Sequence, residues 1–273
     1  MHTVPIPIPS GVTASYMVFD RDTGTLTSSY NEHERIRSAS LVKLMIALDY
    51  FDNHGAPDAI PAADLHLLES MLRSSDDNAA SALWARDGYW GEIVERIVAE
   101  VGLSDTGPPV DPTHWGYTPT SAADIVAVYR YIFDSALPSV CDFIMSNLHQ
   151  ATSCACDGFD QSFGIPRVIP GAAYKQGWSP FKDPQNPCRQ PQRPRADIGA
   201  AKDGPLDHAQ ARAIDVDLTR PAMHTTGTYD NDRRIAALLT LQADGIQWDE
   251  SADNVTQLFS EVHKNAGSHH AAD

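Results

Sequence analysis

"RIRSASLVKLMIALDY", residues 35–50, begins with small polar residues, turns apolar at Leu41 and sets Lys43 inside an otherwise apolar run. Leu41, Leu44, Met45 and Leu48 recur at helical spacing, which predicts a buried amphipathic helix. Lys43 follows Ser40 by three residues, so both side chains share one helix face about a turn apart. Two readings fit the tetrapeptide Ser40-Leu41-Val42-Lys43. In one, Ser38 or Ser40 caps the helix and the lysine snorkels to solvent. In the other, the serine is a nucleophile and the lysine its base. The rest of the chain decides between them.

The chain has 273 residues, enough to bury a large core, and 42% hydrophobic with 21% charged residues is ordinary globular composition. Lys+Arg 20 against Asp+Glu 36 gives a net charge of −16, which repels phosphate backbones and anionic lipid heads, so no nucleic-acid partner is expected. No run approaches the roughly 18 apolar residues a spanning helix needs. The stretch "MHTVPIPIPSG" has neither a basic n-region nor an apolar h-region, so the chain as written carries no secretory signal. A cytoplasmic location, or export with a leader trimmed away, both fit. Cys141, Cys154, Cys156 and Cys188 are too few for a disulfide scaffold, and the C-x-C of "SCAC" lacks the usual zinc spacing. No metal and no cofactor is expected.

"VTASYMVFD", the turn "RDTG" and "TLTSSY" predict a β-hairpin. The Ser40 helix follows and stops near Gly55 and Pro57. Five apolar-periodic segments between residues 61 and 151 predict an all-helical lobe. Strand character returns in "GAAYKQGW", "RPAMHTTGTY" and "RRIAALLTLQ", and "ADNVTQLFSEVHKNA" closes the chain as a helix. Residues 181–216 are rich in Pro, Asp and Gln without a period and predict a long loop. These segments predict an α+β sheet lobe assembled from 1–60 and 152–273, beside a helical lobe of 61–151. A cleft between the lobes is the default substrate site. Trp84, Trp90 and Trp115 read as packing residues, and the paired histidines of "GSHHAAD" as solvent-exposed.

A serine nucleophile needs a proton acceptor, a group that relays the proton to the leaving group, and donors for the oxyanion. Ser75 opens "SDDN" between two helical segments, and Lys175, Gln176 and Gly177 lie on a predicted strand, where a glycine admits a close backbone approach. The order S-x-x-K, S-D-D-N, K-Q-G, with helices inserted between, resembles the penicillin-recognising serine enzymes, especially class A β-lactamase-related serine hydrolases of actinobacterial type. The resemblance spans roughly residues 12–180 and 218–245. It implies a β-lactamase/transpeptidase-like fold, with an antiparallel sheet of about five strands flanked by helices. It also implies Ser40 as the acylated nucleophile, Lys43 as its base, Ser75 as proton relay, and Lys175 as the charge that holds the relay and a substrate carboxylate. Asp77 stands where the family has Asn, and Gln176 where it has Thr or Ser. The resemblance further implies that Gly177 keeps the strand edge open and that the backbone N–H of Trp178 is the second oxyanion donor. His224 and Thr226, in "HTTG" on the neighbouring strand, stand as cleft-lining candidates, with a plain strand as the alternative.

Three departures qualify the resemblance. Asp77 cannot donate the amide N–H that Asn gives a substrate carbonyl. Gln176 lacks the hydroxyl used for a substrate carboxylate. "PPVDPTHWGYTPTSAAD" contains no Glu to activate a deacylating water, and Asp111 and His114 are its nearest polar residues. Ser179-Pro180-Phe181-Lys182 also fits S-x-x-K, but Pro180 opposes the helix. The expected activity is acyl transfer or hydrolysis at an amide, ester or β-lactam carbonyl of a small molecule or peptide bearing a carboxylate, with poor β-lactam turnover. A catalytically silent binding protein and an amidase or acyltransferase of specialised metabolism are the alternatives.

Overall fold

The computed structural model describes residues 6–87, 92–182, 184, 187, 188 and 216–267. Strands β1 (Thr13–Asp20) and β2 (Thr25–Tyr30) form the expected hairpin. A two-residue strand β3 (Ile36–Arg37) leads into a single 3₁₀ turn, Ala39–Leu41, and helix α1 (Val42–His54). Helices α2 (Ala62–Ser74), α3 (Asp77–Asp87) and α4 (Glu92–Val101) follow, then strand β4 (Pro119–Thr120) and helices α5 (Ala122–Asp134), α6 (Pro138–His149) and α7 (Ile165–Val168). Strands β5 (Ala173–Ser179), β6 (Ala222–Tyr229) and β7 (Arg234–Leu241) and helix α8 (Trp248–Gly267) complete the chain.

Five strands pair antiparallel in the order β2-β1-β7-β6-β5, so the first and last parts of the chain share one sheet. Strands β6 and β7 are buried at every position because both faces of the sheet are covered. One face packs on α8 through Val255, Leu258, Phe259 and Val262. The other joins a larger core shared with α1, α2 and α5.

Two details differ from the sequence reading. Helix α1 is not amphipathic in place: Val42 to Phe51 are all buried, because α2, α3, α4, α5 and α6 surround it. Between the helices of residues 61–151 lies strand β4, which pairs with β3 (Ile36 with Thr120, Arg37 with Pro119) and ties that stretch to the approach of the Ser40 turn. The long loop lies mostly outside the described residues, as do Trp90 and the C-terminal histidines.

Candidate active site

Ser40 occupies the turn just before the central helix. Ala39, at φ 45°, holds a left-handed conformation that costs a non-glycine residue energy and fixes the direction in which the turn presents its neighbour. The turn closes on itself through Leu41 N–H to Ser38 O at 3.0 Å and is bolted to its neighbour by Ser38 N–H, which donates to Thr118 O at 2.8 Å. Its other side rests on edge strand β5, at Gly177. A Cβ there would lie 3.0 Å from Ser38 O and 3.3 Å from the Leu41 side chain. The glycine thus admits the protein's own turn; the substrate backbone expected there is not what crowds it.

Ser75 ends α2 in a left-handed conformation, φ 53° and ψ 39°, which turns the chain into α3. Asp76 caps α3 by accepting from Asn78 N–H at 2.9 Å and Ala79 N–H at 3.2 Å, and it accepts from Ser70 Oγ at 2.6 Å. The first Asp of "SDDN" therefore serves structure, and the second, Asp77, faces the lysine.

Five residues converge: Ser40 from the turn, Lys43 from α1, Ser75 from the end of α2, Asp77 from α3 and Lys175 from β5. Lys43, fully buried, sits 2.8 Å from Ser40 Oγ, 2.8 Å from Ser75 O, 3.2 Å from Ser75 Oγ and 2.5 Å from Asp77 Oδ1. Lys175, buried on β5, donates to Ser75 Oγ at 2.9 Å and to Gln176 O at 2.8 Å. An ammonium has three protons, and Lys43 has four oxygen neighbours. The Ser75 carbonyl and the Asp77 carboxylate can only accept. Lys43 donates N–H to both, and the same Nζ stands within hydrogen-bond reach of the Ser40 hydroxyl. Burial first, and then the Lys43 charge, push the Lys175 pKa well below the ordinary lysine range.

Trp115 closes the far side of Lys43, its ring centroid 4.8 Å from Nζ and its indole N–H on Ser81 Oγ at 3.2 Å. It is a packing residue, as its type implied, but the surface it packs on is the lysine. Asp111 and His114 pair with each other at 2.9 Å, Asp111 also accepts from Thr113, and His114 stacks on Tyr117, so both are occupied within their own loop.

Several sequence candidates lie elsewhere. Gln176 is fully buried on β5, and its amide donates to Gln161 O at 3.1 Å and Phe163 O at 2.6 Å, which removes it from the cleft. His224 is buried in the sheet, Nε2 on Arg37 O at 2.8 Å and Nδ1 accepting from Thr240 N–H at 3.1 Å, which makes it a bracket for the strand leading to Ser40. Thr226 donates to Lys175 O at 2.8 Å and touches Tyr129 OH at 3.2 Å, so it holds the lysine's backbone from behind. Neither lines the cleft, because their strand is interior and the edge belongs to β5. Ser179 ends β5 in extended backbone, where its S-x-x-K spacing has no helix to act through.

The structure pairs two of the cysteines and adds Asp157, which the sequence left unmarked. Cys154 and Cys188 form a disulfide, so the cysteines supply one cross-link where no scaffold was expected. It fastens the chain after β5 to the loop following α6. That loop carries Asp157, whose Oδ2 accepts from the Trp178 indole N–H at 3.0 Å. Desolvation beside Asp76 pushes the Cys156 thiol up to about 12, which leaves it a poor rival nucleophile. A lone Asp in a loop carries no periodic signal, and four cysteines do not fix their own pairing, so the sequence indicated neither Asp157 nor the Cys154–Cys188 link.

Comparison with solved structures identifies the architecture. The chain matches a mutant of PBP-A in its acyl-enzyme complex with penicillin G at a TM-score of 0.61, with 16% identity, over 95% of this chain and 92% of that one. It matches a class A β-lactamase from Mycobacterium abscessus at 0.63, with 14% identity, over 94% and 95%. A representative class A β-lactamase from Bacteroides cellulosilyticus gives 0.64, with 14% identity, over 94% and 93%. The chain thus has the fold of the class A β-lactamases and PBP-A. No family model matches it. Curated proteins of Mycobacterium tuberculosis and Mycobacterium bovis, each named "Putative lipoprotein LppW", are 38% identical over 175 residues, 62% of this chain and 54% of theirs. The chain spans about half the length of these relatives. No helix among the described residues is long and apolar enough to cross a membrane.

Proposed function

We propose that the chain is a serine hydrolase or acyltransferase that forms a Ser40 acyl-enzyme with an amide, ester or β-lactam carbonyl of a small molecule or peptide. The observation that carries this reading is the unbroken chain Ser40 Oγ, Lys43 Nζ, Ser75 Oγ, Lys175 Nζ, with links of 2.8, 3.2 and 2.9 Å. Ser40 Oγ bonds to the carbonyl carbon and its proton passes to Lys43. The backbone N–H groups of Ser40 and Trp178 hold the oxyanion. Ser75, backed by Lys175, delivers the proton to the leaving group as its bond to the carbonyl carbon breaks. Water or an amine then takes the acyl group and returns a proton to Ser40.

The second half is the slow half. Trp115 faces Lys43 from the segment that lacks a Glu, and Asp111 is engaged with His114 and Thr113, so no carboxylate of that segment is free to activate water. β-Lactams are therefore expected to give a persistent acyl adduct. Nitrocefin turnover should fall far below the roughly 10–10³ per second of a working enzyme, read by absorbance alongside intact mass. Turnover within that range contradicts the account of Trp115.

One observation favours a silent binding protein: Asp77 holds Lys43 at 2.5 Å where an amide stands in the resembling family. Absence of any adduct with both a β-lactam and an activated ester selects that reading. The disulfide and the lipoprotein relatives of mycobacteria support an actinobacterial, exported setting, which sequencing the native N-terminus tests.

A further inference from the structure

Asp157 stands on a loop built to hold it still. The Cys154–Cys188 disulfide closes the loop, Cys188 N–H donates to Gly158 O at 2.9 Å, and Ala155 N–H to Phe159 O at 2.9 Å. Cys156 N–H donates to Ser74 O at 2.9 Å, directly before the relay serine. On the opposite side the Trp178 indole N–H, three residues beyond Lys175, fixes Asp157 Oδ2 at 3.0 Å, while Oδ1 accepts from Phe159 N–H at 3.2 Å. Asp157 thereby spans from the Ser75 corner to the β5 edge, on the rim of the site, with its side chain exposed.

The charges around it leave one vacancy. Lys43 is already paired with Asp77. Lys175 is buried and directed at Ser75. Among the described residues no basic side chain forms an ion pair with Asp157, although the charges of Lys43, Asp77 and Lys175 all act on it or feel it. Desolvation raises the carboxyl's pKa, against the hydrogen bonds from Phe159 and Trp178 and the charge of Lys43. A substrate carboxylate, by contrast, finds no receptor at Gln176, whose amide is spent on Gln161 and Phe163.

We propose that Asp157 is a specificity-determining residue, and that the substrate presents a cationic amine or guanidinium to it beside the carbonyl that Ser40 attacks. This rests on the acyl-enzyme reading above and replaces the carboxylate-bearing substrate that the resemblance implied.

The test uses the full chain and three activated esters of one acyl skeleton, ending in an amine, a carboxylate or a methyl group. The amine ester is expected to acylate Ser40 roughly tenfold faster than the carboxylate ester at low ionic strength, with the ratio shrinking as salt is added. Asp157→Asn should bring the ratio close to one, and Asp157→Glu should retain it. Equal or faster acylation by the carboxylate ester, or a ratio untouched in Asp157→Asn, overturns the proposal. Binding of the matching unreactive amides, read by tryptophan quenching, separates the two layers. Charge preference without acylation contradicts the acyl-enzyme reading and spares Asp157. Acylation without charge preference contradicts Asp157 alone, and absence of both contradicts both.

Discussion

Ser75 Oγ receives two lysine amines, Lys43 at 3.2 Å and Lys175 at 2.9 Å, in a site with almost no solvent. That geometry makes the hydroxyl a bridge, since removing it leaves each amine one partner short. Ser75→Ala is expected to slow acylation by about 10²–10⁴-fold, measured by stopped-flow with an activated ester, while the protein stays folded by circular dichroism. His224 carries a stability prediction. Burial lowers its pKa from 6.5 to about 4. Below pH 6.5 the unfolded chain binds a proton that the folded chain refuses, so stability falls as pH drops from about 6.5 to about 4, by about 3 kcal/mol. Urea midpoints should decline across that window and flatten in His224→Gln, whose amide can still bond Arg37 O and Thr240 N–H. At this scale the meeting of Ser40, Lys43, Ser75 and Lys175 was legible from the motif order and the resemblance it carries. Gln176, His224 and Thr226 were not placed correctly, because a strand's letters do not say which edge of the sheet it occupies.

The meeting of the Ala39–Leu41 turn with β5 is the element contact on which the site depends. Arg37, fully buried just before the turn, donates to Leu218 O at 2.8 Å and to Ser179 O and Arg220 O, which staples β3 to the strand ends beside it. Gly177→Ala would push a methyl to 3.0 Å from Ser38 O, a distance that only movement of the turn relieves. Its expected cost is about 1–3 kcal/mol with a larger loss in acylation rate than in binding of an unreactive amide, checked by thermal unfolding and by kinetics together. The strands were legible from β-branched alternation, and the helices from their period and stops. The two-residue β3–β4 pair and the full burial of α1 were not, since both arise from what packs around those residues.

Across the whole molecule, the sheet draws β1 and β2 from the start of the chain and β5, β6 and β7 from its end, with the helices carried between. This arrangement explains why residues at 40, 75 and 175 share one pocket: α1 runs from the sheet edge into the helical lobe, α2 returns Ser75 to its start, and β5 supplies Lys175. The order of the motifs revealed that topology, because a nucleophile helix, a helical insertion and a glycine-bearing edge strand fit few architectures. The Cys154–Cys188 link and the placement of Asp157 depend on three-dimensional neighbours over 34 residues of chain and left no trace in spacing. The central claim, a Ser40 acyl-enzyme, is tested most directly by intact mass spectrometry of the chain treated with a fluorophosphonate, beside Ser40→Ala. One adduct per chain, mapped to Ser40 and absent from the variant, is the predicted result; an adduct that persists in Ser40→Ala, or none on the native chain, would contradict it.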